Sequence, residues 1–227
     1  SLSLCATPTW NRRGGSMSAS PSRPRLVFLV TEDWFFCSHF LDRAVAARDR
    51  GFDVAVVTRV REEGARIAAS GLRVHPIDIG RRASNPFAEM RAIYQVWRIY
   101  RSEQPALVHH VALKPIVFGT LAAKLARVRR IVNAPVGMGF VFASSSLLAR
   151  ALRPSLRLAL RLLLNPRGSR VVFENPDDLE AAVGDGFVRR EETALIRGAG
   201  VDLEAFRASP EPPGPPAIVL VARMLWE

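Results

Sequence analysis

The sequence predicts an α/β fold, a doubly wound parallel sheet. Three observations carry this. From Arg25 onward, short apolar runs alternate with amphipathic stretches. The runs are β-branched and nearly continuous, which suits strands buried on both faces. The stretches between them open on capping residues, and regular strand–helix alternation builds a parallel sheet with crossover helices.

The elements follow in order. Residues 1–23 are rich in Ser, Pro, Arg and Gly without hydrophobic period, and read as a disordered lead-in in which Met17 is an alternative start. The first strand is 25–31 (RLVFLVT). Residues 32–39, carrying Trp34, Phe35 and Phe36, read as the loop that follows it. Ser38 is the expected cap of a helix stopping before Gly51. Residues 53–58 and 72–77 are the next strands. Asn85-Pro86 opens a clear helix, with Asn as cap and Pro in the first turn. Its apolar residues Phe87, Met90, Tyr94 and Trp97 recur at helical spacing. A fourth strand at 107–111 is followed by a helix after Pro115 and a strand at 130–133. A long helix then runs from about 145 to 164, and residues 170–173 form a sixth strand. Asn175-Pro176-Asp177-Asp178 repeats the cap-then-proline signature. The domain is thus expected to span 24–207. Residues 208–216, mostly proline, read as a stiff linker. Residues 217–222 (AIVLVA) read as the first strand of a second domain continuing past Glu227, because a lone strand cannot fold by itself.

Composition narrows the function. The net charge is +11, and all basic residues except Lys114 and Lys124 are arginines. Such a surface attracts phosphates, acidic lipids or nucleic acid. Nucleic acid is not expected, because no compact basic block with interleaved aromatics is present. Cys5 and Cys37 make no disulfide framework, and Cys37 reads as a small buried residue. There is no apolar core in residues 1–16 to make a secretory leader, and no run of about 18 apolar residues to span a bilayer. The expected location is cytoplasmic, peripheral on the inner membrane face as an option. No G-x-G-x-x-G, Walker loop, His/Cys metal spacing or Asp-x-Asp pair occurs, so neither cofactor nor metal is expected.

Functional loops of a doubly wound sheet gather at the strand C-termini. Asp33 there is a carboxylate, and Trp34, Phe35 and His39 offer ring faces for a sugar or isoprenoid; equally, Phe35 and Phe36 can tuck under the sheet. His109 and His110 end a strand, so one should face the cleft and the other the helix layer. The cleft histidine acts as acid or base, or simply packs. Asp33, His109 and His110 are the catalytic candidates. Lys114 can hold a phosphate or be solvated. Gly137 and Gly139 permit close ligand approach or a plain turn. Asn175, two residues after the sixth strand, joins the substrate-binding candidates. Arg150, Arg153, Arg157 and Arg161 form a basic stripe that either lies on anionic headgroups or is solvated.

Several segments in this order carry a resemblance: 28–33 (FLVTED), Ser84-Asn85-Pro86, 107–115 (LVHHVALKP) with Phe118-Gly119, 173–178 (FENPDD), 196–202 (IRGAGVD) with Phe206, and 221–226 (VARMLW). The chain resembles the family 4 glycosyltransferases of the GT-B fold. It is most similar to the bacterial branch that adds sugars to polyprenyl-diphosphate-linked glycans. The resemblance implies a Rossmann-like N-terminal domain shaping the acceptor site. It also implies retaining transfer from a nucleotide-diphosphate sugar held mostly by the second domain, without an obligatory metal. Arg223 matches an arginine that clamps the donor diphosphate; its partner lysine would lie beyond Glu227, so 1–227 alone is expected to be inactive. Two departures are plain. The first loop is aromatic where many relatives are glycine-rich, and Ala134-Pro135-Val136 stands where many carry a histidine, which leaves His109 or His110 as substitutes. The alternatives are a non-catalytic module binding a lipid-linked acceptor or membrane surface, and another GT-B enzyme such as a sugar-nucleotide epimerase.

Overall fold

The computed structural model describes residues 23–80, 85–136, 147–198, 200–210 and 214–215. The expected second-domain strand at 217–222, Arg223, Gly137, Gly139 and residues 211–213 and 216 of the proline-rich linker lie outside them.

The elements run β1 (Arg25–Glu32), α1 (Asp33–His39), α2 (Leu41–Asp49), β2 (Asp53–Arg59), α3 (Gly64–Ala69), β3 (Arg73–Pro76), α4 (Pro86–Glu103), β4 (Leu107–Val111) and α5 (Leu113–Ala126). Then come β5 (Ile131–Ala134), α6 (Leu147–Leu163), β6 (Ser169–Phe173), α7 (Pro176–Gly184) and β7 (Thr193–Leu195). One sheet of order β3-β2-β1-β4-β5-β6-β7 holds all seven strands, and every neighbouring pair is parallel. The doubly wound parallel sheet is therefore observed.

Side-chain alternation along each strand sorts the core into layers. Leu26, Phe28 and Val30 of β1 pack with Val54 and Val56 against Phe36, Phe40, Ala44 and Ile67 of the first three helices and their joints. Val27 and Leu29 point the other way, against Ala92, Val96 and Tyr100 of α4 and Phe118 and Ala122 of α5. A third cluster joins Ile116, Leu160 and Leu164 to Val171, Phe173 and Leu179. The chain thus winds outward through β2 and β3 with helices on one face. Then α4 carries it back to β4, and the later helices cover the other face.

The capping signatures at 85 and 175 form as read. The Asn85 side chain accepts from the Phe87 amide (2.9 Å). The Asn175 side chain accepts from the Asp178 amide (2.7 Å) and donates back to the Asp178 carboxylate (2.9 Å). Three features differ from expectation. β1 passes straight into α1, so 33–39 is helix rather than loop, and Ser38 lies inside it, donating to the Trp34 carbonyl (2.8 Å) instead of capping α2. The edge strand β7 adds a seventh strand. On α4 the buried residues are Ala92, Val96 and Tyr100, while Phe87, Met90 and Tyr94 face water.

Candidate functional site

The strand order reverses between β1 and β4. At such a switch point the connections leave in opposite directions and open a crevice beyond the strand C-termini. The β1 side supplies Glu32 to His39; the β4 side supplies Ala112, Leu113 and Lys114.

Ala112, the residue joining β4 to α5, has φ 73° and ψ 162°. Its amide donates to the Ala134 carbonyl at 2.9 Å. That backbone region is essentially reserved for glycine, and an alanine there carries about 1–3 kcal/mol of strain. The strain lies at the mouth of the crevice.

The neighbouring strand, β1, leads into α1, which presents an aromatic surface. Trp34 is 41% exposed and meets Phe35 edge-on, with centroids 5.7 Å apart. Phe35 stacks on His39 at 4.4 Å. The structure thus brings together three of the sequence-selected binding residues, Trp34, Phe35 and His39. Phe36 and Cys37 turn inward and are buried. Burial pushes the Cys37 thiol up to about 11, so it is no thiolate nucleophile at neutral pH.

Asp33 has a different environment from the one its position suggests. Its side chain is wholly buried and accepts from the backbone amides of Trp34 (2.8 Å), Arg61 (2.6 Å) and Glu63 (3.0 Å). Burial pushes its pKa up, but these amides outweigh burial and hold the carboxyl below its ordinary value. Asp33 is a fixed anion that ties the turn after β2 to the start of α1. Beside it is Glu32, which the sequence reading missed. It is buried at the end of β1, with Arg59 and Arg61 each 3.5 Å from its carboxylate. The sequence signal was a charged residue closing a fully buried strand.

The two histidines face opposite sides of β4, as alternation requires. His110 lies in the helix layer, fully buried. Its Nδ1 is 2.8 Å from Asn133 Oδ1 and its Nε2 is 3.1 Å from the Tyr100 hydroxyl. The Asn133 amide nitrogen donates to the Leu164 carbonyl (2.7 Å), so its oxygen must face His110. Nδ1 therefore carries the proton, and Nε2 accepts from Tyr100. Burial pushes the imidazole down to about 4, against the opposing effect of the hydrogen bond it donates to Asn133. His109 sits on the other face, half-buried, between the rings of Phe28 (5.0 Å) and Phe40 (5.8 Å). Its Nε2 is sealed from solvent without a hydrogen-bond partner among the described residues. Burial, with the nearby charges of His110 and Arg43, lowers its pKa to about 3. Both rings are neutral at pH 7, and His110 does not open on the crevice, because Tyr100 and α5 cover it.

Lys114 is also engaged. Its ammonium donates to Glu89 (2.8 Å) and to the Gly80 carbonyl (2.6 Å), above the Phe118 ring. It fastens α4 to the start of α5 and must leave an ion pair to meet a phosphate. Asn175 is committed to its cap, at the edge of a small cleft of about 30 Å³ with Pro135, Val136, Val172, Glu174 and Asp178. That is room for about one water. Arg43 of α2 donates to the Gly198 carbonyl, bringing the segment after β7 back toward the first helices. A larger cavity, about 700 Å³, lies at the opposite edge, among Phe52, Leu107, Val128 and Arg127. It sits at strand N-termini, away from the switch point.

The family model described as glycosyl transferase 4-like matches residues 25–175, most of the described sheet. The chain belongs to this family. Its fold is that of GT-B enzymes. HepE of Anabaena, solved with UDP and glucose, shares 17% identity at a TM-score of 0.58, covering 82% of this chain and 47% of HepE. A glycosyltransferase of Rickettsia africae shares 13% at 0.55, covering 82% of this chain and 45% of its own. Sucrose-phosphate synthase of Thermosynechococcus elongatus shares 14% at 0.51, covering 80% and 49%. These identities bear on fold alone. The chain spans about half the length of each. No curated protein matches it.

Proposed function

We propose that this chain forms the acceptor-side half of a retaining glycosyltransferase that moves a sugar from a nucleotide-diphosphate sugar to a polyprenyl-linked glycan. The observation that carries the reading is the strained Ala112 after β4, at the switch point, with the aromatic cluster of Trp34, Phe35 and His39 following the neighbouring strand β1. Strain of this kind persists where surrounding structure holds it for a purpose, and aromatic faces suit the apolar faces of sugar rings. In this reading Trp34, Phe35 and His39 touch the acceptor. Asp33, Glu32, His110 and Lys114 hold the rim in shape, and His109 lies beneath it. Arg223, carried over from the family resemblance, would neutralise charge developing on the leaving diphosphate. The expected location is cytoplasmic, peripheral on the inner face of the membrane. The basic stripe of Arg150, Arg153, Arg157 and Arg161 supports this; Arg157 and Arg161 are exposed on α6. Among the described residues no helix is long and apolar enough to cross a membrane.

The test is a fluorescence titration of the full chain with a polyprenyl-diphosphate saccharide. Saturable quenching, weakened about tenfold by Trp34→Ala, is expected for one lost stacking contact of about 1.4 kcal/mol. Quenching indifferent to Trp34→Ala overturns the site. Incubation with UDP-sugar and acceptor should give no product from 1–227 alone; turnover would overturn the half-enzyme reading.

A further inference from the structure

The end of the sheet away from the crevice carries a feature that the proposed reaction leaves unused. β1, β2, β4 and β5 begin there, and α4 and α5 end there. A cavity of about 700 Å³ opens between these ends. That is ample for a small molecule, since ligand pockets run to about 300–1,000 Å³.

Its lining divides by chemistry. Pro24, Phe52, Leu107 and Val128 give an apolar wall, joined by the buried Tyr100. Arg101, Arg127, Arg129 and Arg130 supply charge, and among the described residues no acid lines the cavity. Arg101, Arg127 and Arg129 have no side-chain hydrogen bond or ion pair among the described residues. The nearest acid along the chain, Glu103, is already held by Arg73 and His75. Cations are expected at helix C-termini, where they offset the dipole. Arg101 and Arg127 fit that account; Arg129 and Arg130, in the connection from α5 to β5, exceed it.

The backbone gives a second, independent sign. α4 and α5 each stop on a left-handed residue, Gln104 at φ 45° and Arg127 at φ 61°. Glycine is the usual residue at that position, because a side chain is strained there. Here both helices end instead on a long polar residue, and both residues line the same cavity. Gln104 is exposed, and its amide can donate and accept at once, as the edge of a nucleobase requires.

We infer that this cavity is a binding site for a nucleoside phosphate. The arginines take the phosphates, which guanidinium groups meet in paired bonds. The apolar wall takes the base, and Gln104 reads its edge. Inorganic phosphate would satisfy the arginines but not the wall; an apolar ligand would leave the arginines unanswered. Residues 1–23 carry Arg12, Arg13 and Arg23 and no acid, so their charge argues against that segment as the occupant. The site lies at the start of β4 and the crevice at its end, so the inference does not rest on the proposed acceptor reading.

The test is isothermal titration calorimetry of the full chain with ADP, UDP, inorganic pyrophosphate and adenosine. Three variants are compared after circular dichroism confirms their fold: Arg127→Gln with Arg129→Gln, Ala106→Trp, and a charge-matched control, Arg66→Gln with Arg157→Gln, outside the cavity. Ala106 is an exposed residue of the lining, so a tryptophan there should fill the cavity without altering charge. One-to-one binding of at least one nucleotide is expected, about tenfold or more tighter than pyrophosphate or adenosine. The arginine variant should weaken it about tenfold or more and the control less than about twofold. Ala106→Trp should abolish it. Binding of neither nucleotide overturns the inference. So does pyrophosphate or adenosine binding as tightly as the nucleotide, or equal loss in the arginine variant and the control. Binding that survives Ala106→Trp puts the nucleotide elsewhere and overturns it too. Trp34→Ala should leave nucleotide affinity unchanged; loss there would move the site to the crevice and sink the inference. The saccharide titration reads the crevice alone, so failure of this site and failure of the acceptor site stay separate.

Discussion

The Nδ1–H of His110 donates to the side-chain oxygen of Asn133 across the β4–β5 pair at 2.8 Å. Asn133 passes the bond on to the Leu164 carbonyl at the end of α6, and Tyr100 closes the other side of the ring from α4. One buried network therefore links both strands to the two helices that flank α5, just beneath the crevice. Its parts are all satisfied, and such networks hold an arrangement in place more than they add net stability.

Gly119 of α5 is the first test of that network. A Cβ built on it would lie 2.5 Å from Cδ2 and Nε2 of His110 and 2.8 Å from Leu29. The ring is held at both nitrogens and cannot step aside. Gly119→Ala should lower stability by about 1–3 kcal/mol, the usual cost of overpacking, although alanine is the better helix former. Urea unfolding measures this. A stabilised variant would mean that the ring moves freely.

Stability should also fall unusually early in acid. In the unfolded chain an imidazole takes a proton near pH 6.5. In the fold, burial holds His109 down to about 3 and His110 to about 4. Above about pH 6.5 both are neutral in either state, and their contribution is complete. Below it the unfolded chain binds two protons that the folded chain refuses, and stability drops by about 1.4 kcal/mol per pH unit for each ring. Asp33 and Glu103, both held below the carboxylate range, add their loss only below about pH 4. Between pH 6 and 4.5 the slope of unfolding free energy should be about 2.7 kcal/mol per unit, and His109→Phe should halve it. A flat profile there would show that the rings protonate in place.

Much of this fold is legible in the sequence, and the exceptions have physical causes. β1 and β2 announce themselves because burial on both faces demands nearly unbroken apolar runs. β7 does not, because three residues at an edge, Thr193 to Leu195, carry no such demand. The segment after β1 looked like a loop because its aromatics suit a ligand, yet Phe36 and Phe40 are one helical turn apart and both buried. Helical spacing found α4 but not its inner face. Phe87, Met90 and Tyr94 recur as regularly as Ala92, Val96 and Tyr100, and only packing against the sheet decides between them. Alternation placed the two histidines on opposite faces, but what covers each depends on partners far along the chain, such as Gly119 and Phe40. The strain at Ala112 is invisible in sequence, since an alanine gives no sign of a backbone angle that glycine ordinarily takes.

Asp33→Asn should loosen the crevice wall. The substitution keeps the shape but removes the charge that three backbone amides address, and forces an amide nitrogen toward one of their donors. Losing charge-assisted bonds in a buried place costs about 2–4 kcal/mol. The effect should appear as lower stability and as faster hydrogen exchange at Arg61 and Glu63, whose amides reach Asp33. Were Asp33 a titrating catalytic acid instead, the variant would leave exchange at those amides unchanged.

Ala112→Gly separates fold from function at the rim. At φ 73° and ψ 162° glycine is unstrained. The variant should therefore be more stable by about 1 kcal/mol, less the entropy that glycine loses on folding. If the strained joint holds the start of α5 against the crevice, relief should let that rim move. Affinity for a polyprenyl-diphosphate saccharide should then fall several-fold while stability rises, an opposition that no purely structural role produces. Thermal unfolding and the Trp34 fluorescence titration on one preparation read both quantities. A gain in stability with unchanged affinity would leave the strain without a part in binding and remove the main support for the crevice.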